Sequence, residues 1–479
     1  MNKLIFTFTC LVLAIPCQAR IITVDNNTPA DFNNIQAAID DSNDDDTIIV
    51  ADGIYTGDGN RDIDFLGKAI TLRSENGPQN CIIDCNGTNT DPHRGFYFHS
   101  GEDANSVLDG FTITNGYANS IIGFFGGAIH GNGTKATIQN NHIVNNVAFT
   151  RSLPAIVQGG GLYDCDGTIQ YNIISGNSAV AIDAESVSRG GGLSGCDGTI
   201  RHNIISNNSA DFGGGMEFRS SNQIISGCVF TENIANYSGG GMYSNDGRPT
   251  VTNCIFSGNV AMVGAGMYNG YDSSPILKNC TFSGNLADDQ GGGIMNIAGP
   301  RATLTNCILW GNMPDQIIDY DYPISSNTTV LFSDVQGGWT GLGNIDADPC
   351  FADPCNDDYH LKSQAGRWDP DSQSWVQDDV TSPCVDAGDP NSDWTAELWP
   401  HGKRINMGAY GGTPQASMSL SDAGNIADLN NDDSVDYLDM ILFTDKWPYR
   451  KILLPEDLDR NGFIDFYDFA IIGLQLSYP

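Results

Sequence analysis

The phrase GGGMYSNDGRPTVTNCIFSGN, residues 239–259, decides the fold, because the chain writes it six times in succession. The other copies read GGGLYDCDGTIQYNIISGN from Gly159, GGGLSGCDGTIRHNIISNN from Gly190, GGGMEFRSSNQIISGCVFTEN from Gly213, GAGMYNGYDSSPILKNCTFSGN from Gly264 and GGGIMNIAGPRATLTNCILWGN from Gly291. A weaker copy, GGAIHGNGTKATIQNNHIVNN, starts at Gly126. The third glycine of the phrase recurs at steps of 31, 23, 26, 25 and 27 residues. A period in this range marks stacked supersecondary units. Each unit carries runs rich in β-branched and aromatic residues, bounded by Gly, Asn, Asp and Pro, which read as short strands between tight turns. About 26 residues hold three such strands, one coil of a parallel β-helix. A propeller blade needs roughly 40 residues, and a leucine-rich horseshoe needs a denser leucine spacing.

The aligned columns predict how coils stack. Leu162, Leu193, Met216, Met242, Met267 and Ile294 form an inward apolar row. The closing asparagines fall at Asn145, Asn177, Asn208, Asn233, Asn259, Asn285 and Asn312. Five residues before them lie Asn140, Asn172, Asn203, Cys228, Cys254, Cys280 and Cys307. Identical amides at the ~4.8 Å inter-strand spacing can bond along the stack, and cysteine replaces them as a small buried hydrophobe. Tyr163, Ser194, Glu217, Tyr243 and Tyr268 follow the inward row by one residue, so they are expected to face solvent and offer a saccharide groove. Tyr163, Tyr243 and Tyr268 are its substrate-binding candidates, and Glu217 with Arg219 its catalytic candidates.

These phrases resemble the GGAI and FxxN repeats of polymorphic outer-membrane proteins. With the opening IQAAID…DTIIVADGIY they are also similar to secreted right-handed β-helix proteins of the pectate-lyase-like superfamily. The resemblance implies an all-β, single-stranded, right-handed parallel β-helix of about 11 coils from Thr47 to Ser333, which binds an extracellular polysaccharide or degrades it as a lyase or glycoside hydrolase. The alternative that it implies is a non-catalytic adhesin or cell-surface structural protein.

Residues 1–19 read as a signal peptide, with Lys3, an apolar run to Pro16 and Cys17-Gln18-Ala19 before the cleavage point. That makes the protein secreted, extracellular or at the cell surface. With 58 acidic against 22 basic residues, the net charge of −36 argues against nucleic acid and anionic lipid as partners. No long apolar segment follows, so no membrane span is expected. Phe32–Ile39 reads as a helix capping the open end of the solenoid, whose domain is 20–333. Residues 156–161 and 179–190 exceed the unit and read as protruding loops. Residues 334–418 break the repeat and read as a loop-rich cap over the last coil, with Trp339, Trp368, Trp375, Trp394 and Trp399 packing there or stacking on sugars. Cys350 and Cys355 can bridge there; Cys81 and Cys85 can do so only across a turn. Residues 419–426 read as a linker and 427–479 as a separate module.

That module carries the most specific chemistry. Asp428, Asn430, Asp432, Ser434, Asp436 and Asp439 occupy positions 1, 3, 5, 7, 9 and 12 of one loop. Twenty-nine residues on, Asp457, Asp459, Asn461, Phe463, Asp465 and Asp468 repeat the pattern. Six to eight oxygens suit Ca²⁺, with position 7 giving its carbonyl, so two Ca²⁺ sites are expected. Val435 and Ile464, at position 8, are expected to pair between the loops. Asp433 stands at position 6, where glycine is usual, and must take a left-handed conformation. Paired loops ending in Asp and running into helices resemble dockerin type I modules, which implies a cohesin-like partner. Tyr437-Leu438 and Phe466-Tyr467 depart from the Ser/Thr pairs common at positions 10 and 11.

Overall fold

The computed structural model describes residues 19–476, apart from 28, 120–124, 152–154, 220–221, 272, 298, 300, 321–326 and 422. The signal-peptide segment lies outside the described residues. The core is a parallel β-solenoid in which, among the described residues, each interior strand of the four main sheets pairs with neighbours in adjacent coils. Four sheets run its length, of 12, 11, 9 and 9 strands along their main paths, rather than the three expected. Twelve strands of the longest sheet bound about 11 turns, or roughly 50 Å of axis. The first strand is Ile21–Val24, so the solenoid begins before Thr47.

Strands of three or four residues explain the fourth sheet. In one coil, Met242–Asn245, Thr250–Thr252, Ile255–Ser257 and Val260–Val263 follow one another. Left-handed residues close each corner: Asp246, Asn253, Gly258 and Gly264, with φ of 58°, 52°, 58° and 60°. Asparagine, aspartate and glycine tolerate that region best. The third glycine is required by closeness instead. A Cβ at Gly241 would lie 2.6 Å from the Gly266 carbonyl of the next coil.

Each sheet sends one side chain of every strand inward. The row from Leu162 to Ile294 is fully buried, as expected. Phe230, Phe256 and Phe282 stack at 4.7 and 4.5 Å, continuing a row of isoleucines. The closing asparagines form a buried ladder in which each Oδ1 accepts both the backbone N–H and the Nδ2 of the coil before. Its first rung is Asn146 rather than Asn145, with Asn141 in place of Asn140. Asn140 and Asn145 instead turn the corners at φ 55° and 58°. Cys228, Cys254, Cys280 and Cys307 continue the second column as buried thiols, each Sγ directed at backbone carbonyls. Cys81, Cys85, Cys350 and Cys355 are also free.

The amino end closes as expected. Helix α1, Ile35–Asp41, is capped by Asn34 and buries Ile35, Ala38 and Ile39 against the core. The carboxyl end differs. Among the described residues, Trp339 packs against the core at the last coil. Residues 351–411 fold back along a side of the solenoid, where Ile255 and Ile308 join Phe351, Tyr359, Leu361 and Met407 in one apolar cluster. Corner asparagines fasten it: Asn253 Nδ2 donates to the Ala409 and Gly411 carbonyls, and Asn279 Nδ2 to the Asn406 carbonyl. Outward apolar side chains on that sheet attract a cover, which a terminal cap would leave exposed. Trp368 is buried against Trp375, a packing role.

Buried Glu397 holds this flanking segment by accepting the Asn406 and Gly412 N–H groups, and burial pushes its carboxyl up to about 8. The native carboxyl therefore keeps its proton where an unfolded one, near 4.5, has lost it, and stability falls as pH rises between those values. Glu397→Gln keeps the acceptor and removes the titration. It is expected to flatten the loss of stability between pH 5 and 8 by on the order of 3 kcal/mol. Parallel urea-midpoint profiles for the two proteins would contradict this.

Candidate functional site

One sheet presents the expected outward column. From strand to strand, Tyr97, His130, Tyr163, Ser194, Glu217, Tyr243, Tyr268 and Met295 are in register. The sequence-based candidates are thus brought onto one face, but the face is less open than expected. Ser194 and Glu217 are 0% and 1% exposed, and Tyr243 is 6% exposed. Two causes cover them. Tyr243 and Tyr268 stack on each other at 5.0 Å, hiding the ring faces between them, and Phe212 meets Tyr243 edge-on at 5.4 Å. The two insertions also rise beside the column, partly as strands: Ile156–Gln158 pairs in parallel with Val187–Arg189, while residues 182–186 form a turn.

Glu217 is the electrostatic centre of the face. Its Oε1 accepts from Arg219 Nε at 3.0 Å and lies 4.0 Å from Arg189 Nε, while Oε2 accepts from Ser194 Oγ at 2.9 Å. Gln158 Nε2 in turn donates to Ser194 Oγ at 3.3 Å. Burial and the neighbouring Arg219 charge lower the Arg189 pKa. With both carboxylate oxygens engaged, Glu217 is a positioning residue and not an available acid or base. Arg219, whose side chain is 42% exposed, is the group it presents to solvent. Two arginines around one carboxylate make the spot cationic in a strongly acidic chain.

Sequence reasoning missed the amino-terminal part of the face. Arg94 is buried at 3% exposure and its Nη1 lies 2.8 Å from His130 Nδ1. The signal was present: His130 follows the inward Ile129 as Tyr163 follows Leu162, in the weak copy at Gly126.

Residues 161–333 match the family described as right handed beta helix region. The solenoid is a right-handed parallel β-helix. Residues 328–388 match a second family, described as Disaggregatase related. Among solved structures, the crystal structure of pectate lyase Pel9A is similar at a TM-score of 0.48 and 15% identity, over 82% of this chain and 96% of that one. No curated protein matches the chain. No helix of the described residues is long and apolar enough to cross a membrane.

Beyond the β-helix, the carboxyl-terminal loops repeat one hydrogen-bond frame. Asp428 accepts the N–H groups of Asp432 and Asp433; Asp457 accepts those of Asn461 and Gly462. Asp439 accepts from Leu429, Asn430 and Asp436; Asp468 accepts from Leu458, Asp459 and Asp465. Asp433 takes φ 70° where the second loop has Gly462 at 85°. Asp436 and Asp465 cap helices α2, Tyr437–Asp445, and α3, Phe466–Gln475, and stand outside the carboxylate group. Asn430, Asp432 and Asn461 point side-chain oxygens at backbone N–H groups within their loops, and Ser434 and Phe463 occupy the carbonyl position. In the second loop the Asp457, Asp459 and Asp468 oxygens lie within 4.8 Å of one another. An all-oxygen donor set of crowded carboxylates is the chemistry of a hard cation.

Two expectations about this module are corrected. Val435 and Ile464 share its apolar core, but the Ile464 N–H goes to the Tyr449 carbonyl, and Phe463 bridges Arg450. Residues 419–421 are no free tether, since the Ser419 N–H donates to the Pro400 carbonyl and its hydroxyl to Asp386. The module also rests on the flanking segment, through Lys403 with Asp433 and Arg460 Nη2 with the Trp399 carbonyl.

Proposed function

We propose that the face from Tyr97 to Tyr268 binds an extracellular polysaccharide laid along the solenoid axis. The observation that carries this reading is the pair Arg189 and Arg219 around Glu217, flanked in register by Tyr163, Tyr243 and Tyr268. Arginine matches a carboxylate geometrically, so the centre favours an acidic sugar unit. The engaged Glu217 favours binding over cleavage; a lyase or glycosidase reaction would need a free acid or base elsewhere on the face. Secretion brings the face to its polymer. The carboxyl-terminal module is read as dockerin-like, holding two Ca²⁺ ions in the loops starting at Asp428 and Asp457, with a cohesin-like protein as its partner.

Binding to a panel of acidic and neutral polysaccharides, with release of unsaturated uronate and reducing ends followed in parallel, tests the reading. Arg219→Ala and Tyr268→Ala are each expected to weaken binding of an acidic polymer about tenfold. Unchanged affinity in both variants would sink the assignment of this face. Product release from any polymer would establish cleavage in place of binding alone.

A further inference from the structure

A second cluster lies on the same face, toward the amino end, and shares only Tyr163 with the Glu217 centre. Tyr97 and His130 pack at 5.0 Å with rings tilted by 38°, and His130 and Tyr163 at 5.3 Å and 63°. Phe125 backs Tyr163 at 4.7 Å, and His99 backs Tyr97 at 4.5 Å. Phe125 covers one face of Tyr163 with the rings within 20° of parallel, and the Arg94 guanidinium lies 5.6 Å from the Tyr97 ring centroid. Tyr97 is 37% exposed. Arginine has only donors, so the Arg94 contact at 2.8 Å makes His130 Nδ1 an acceptor. The ring proton must then sit on Nε2. Burial, with the Arg94 and His99 charges, also pushes His130 down to about 4, so the ring is neutral at pH 7.

We propose that Tyr97, His130 and Tyr163 form a subsite for an uncharged sugar ring, with Arg94 as the positioning residue that fixes the His130 tautomer. The exposed Tyr97 ring takes the apolar side of a pyranose, and one oriented N–H donor takes a hydroxyl oxygen. Arg94 is buried behind the ring, so the group offered to a ligand is the neutral His130 Nε2–H and not the cation. Three strand steps, roughly 14 Å, separate it from Glu217 along the axis. The subsite rests on the reading of this face as a polysaccharide surface.

The full chain, ¹⁵N-labelled at histidine, tests it with neutral β-1,4-linked hexasaccharides of glucose, mannose and xylose as probes. The His130 ring signal, assigned by its loss in His130→Gln, is expected in the Nε2–H form at pH 7 and is expected to shift with at least one probe. His130→Ala should weaken that probe about tenfold, and His130→Gln, which keeps an N–H donor, by less than about threefold. An Nδ1–H tautomer, a ring signal no probe moves, or full affinity in His130→Ala would overturn the subsite. If Arg219→Ala still weakens an acidic polymer while His130→Ala changes nothing, the subsite fails and the wider face stands. If a polymer binds and neither variant weakens it, the wider reading fails as well.

Discussion

Replacing Asn259 by leucine is expected to lower the stability of the β-helix by about 4 kcal/mol. Asn259 is buried in the middle of the ladder. Its Oδ1 accepts from the Asn233 N–H and Nδ2, and its own Nδ2 donates to the Phe230 carbonyl and to Asn285 Oδ1. Leucine fills much of the space but removes the acceptor of the Asn233 N–H and the donor to the Phe230 carbonyl, and leaves Asn233 Nδ2 only its bond to the Ile205 carbonyl, at about 1–3 kcal/mol for each buried group left unpaired. Because coils contact mainly their neighbours, the damage should spread as faster hydrogen exchange in Ile255–Ser257 and Val260–Val263, with Thr71–Ser74 unchanged. Cys254→Ala, in the parallel column, should cost about 1 kcal/mol, since its thiol makes only weak contacts. Equal losses for the two variants would contradict the ladder as the source.

Titration with Ca²⁺ is expected to give two sites, and the double change Asp428→Ala with Asp457→Ala is expected to abolish both. The carboxylates in these loops also hold backbone N–H groups, so a sharper variant is Asp468→Asn. It keeps Oδ1 as the acceptor for the Leu458 and Asp459 N–H groups, but removes the charge and the Oδ2 acceptor of the Asp465 N–H. Calorimetry should then show one site in place of two. At 100 times Kd, bound Ca²⁺ stabilises the module by about 2.7 kcal/mol, which chelation should remove while the β-helix transition stays put. Two undisturbed sites in Asp468→Asn would refute the ligand assignment.

The coil architecture was legible in the sequence because every coil must solve the same problem. Inward rows, close-approach glycines and the amide ladder each repeat with the unit. The errors arose where two solutions share one residue type. Asn140-Asn141 and Asn145-Asn146 are doublets in which one asparagine turns a corner and the next joins the ladder, and composition cannot tell them apart. Strand count was underestimated because three residues suffice for a rung. Residues 351–411 were misplaced because their partners, Ile255 and Asn253 among them, lie about 100 residues or more away and impose no period. At the face, register was read correctly but accessibility was not, since stacking between Tyr243 and Tyr268 depends on the third dimension. The loops at Asp428 and Asp457 share one hydrogen-bond frame because the residue spacing that sets it is local.

The most direct test of the proposed polysaccharide surface is hydrogen exchange of the full chain with and without the best-binding polymer of the panel. Protection is expected at Phe96–Tyr97, Leu162–Cys165, Met216–Arg219 and Met267–Gly270, the strands that carry the column. Protection confined to residues 351–411 or to the carboxyl-terminal module, with these strands unchanged, would contradict it.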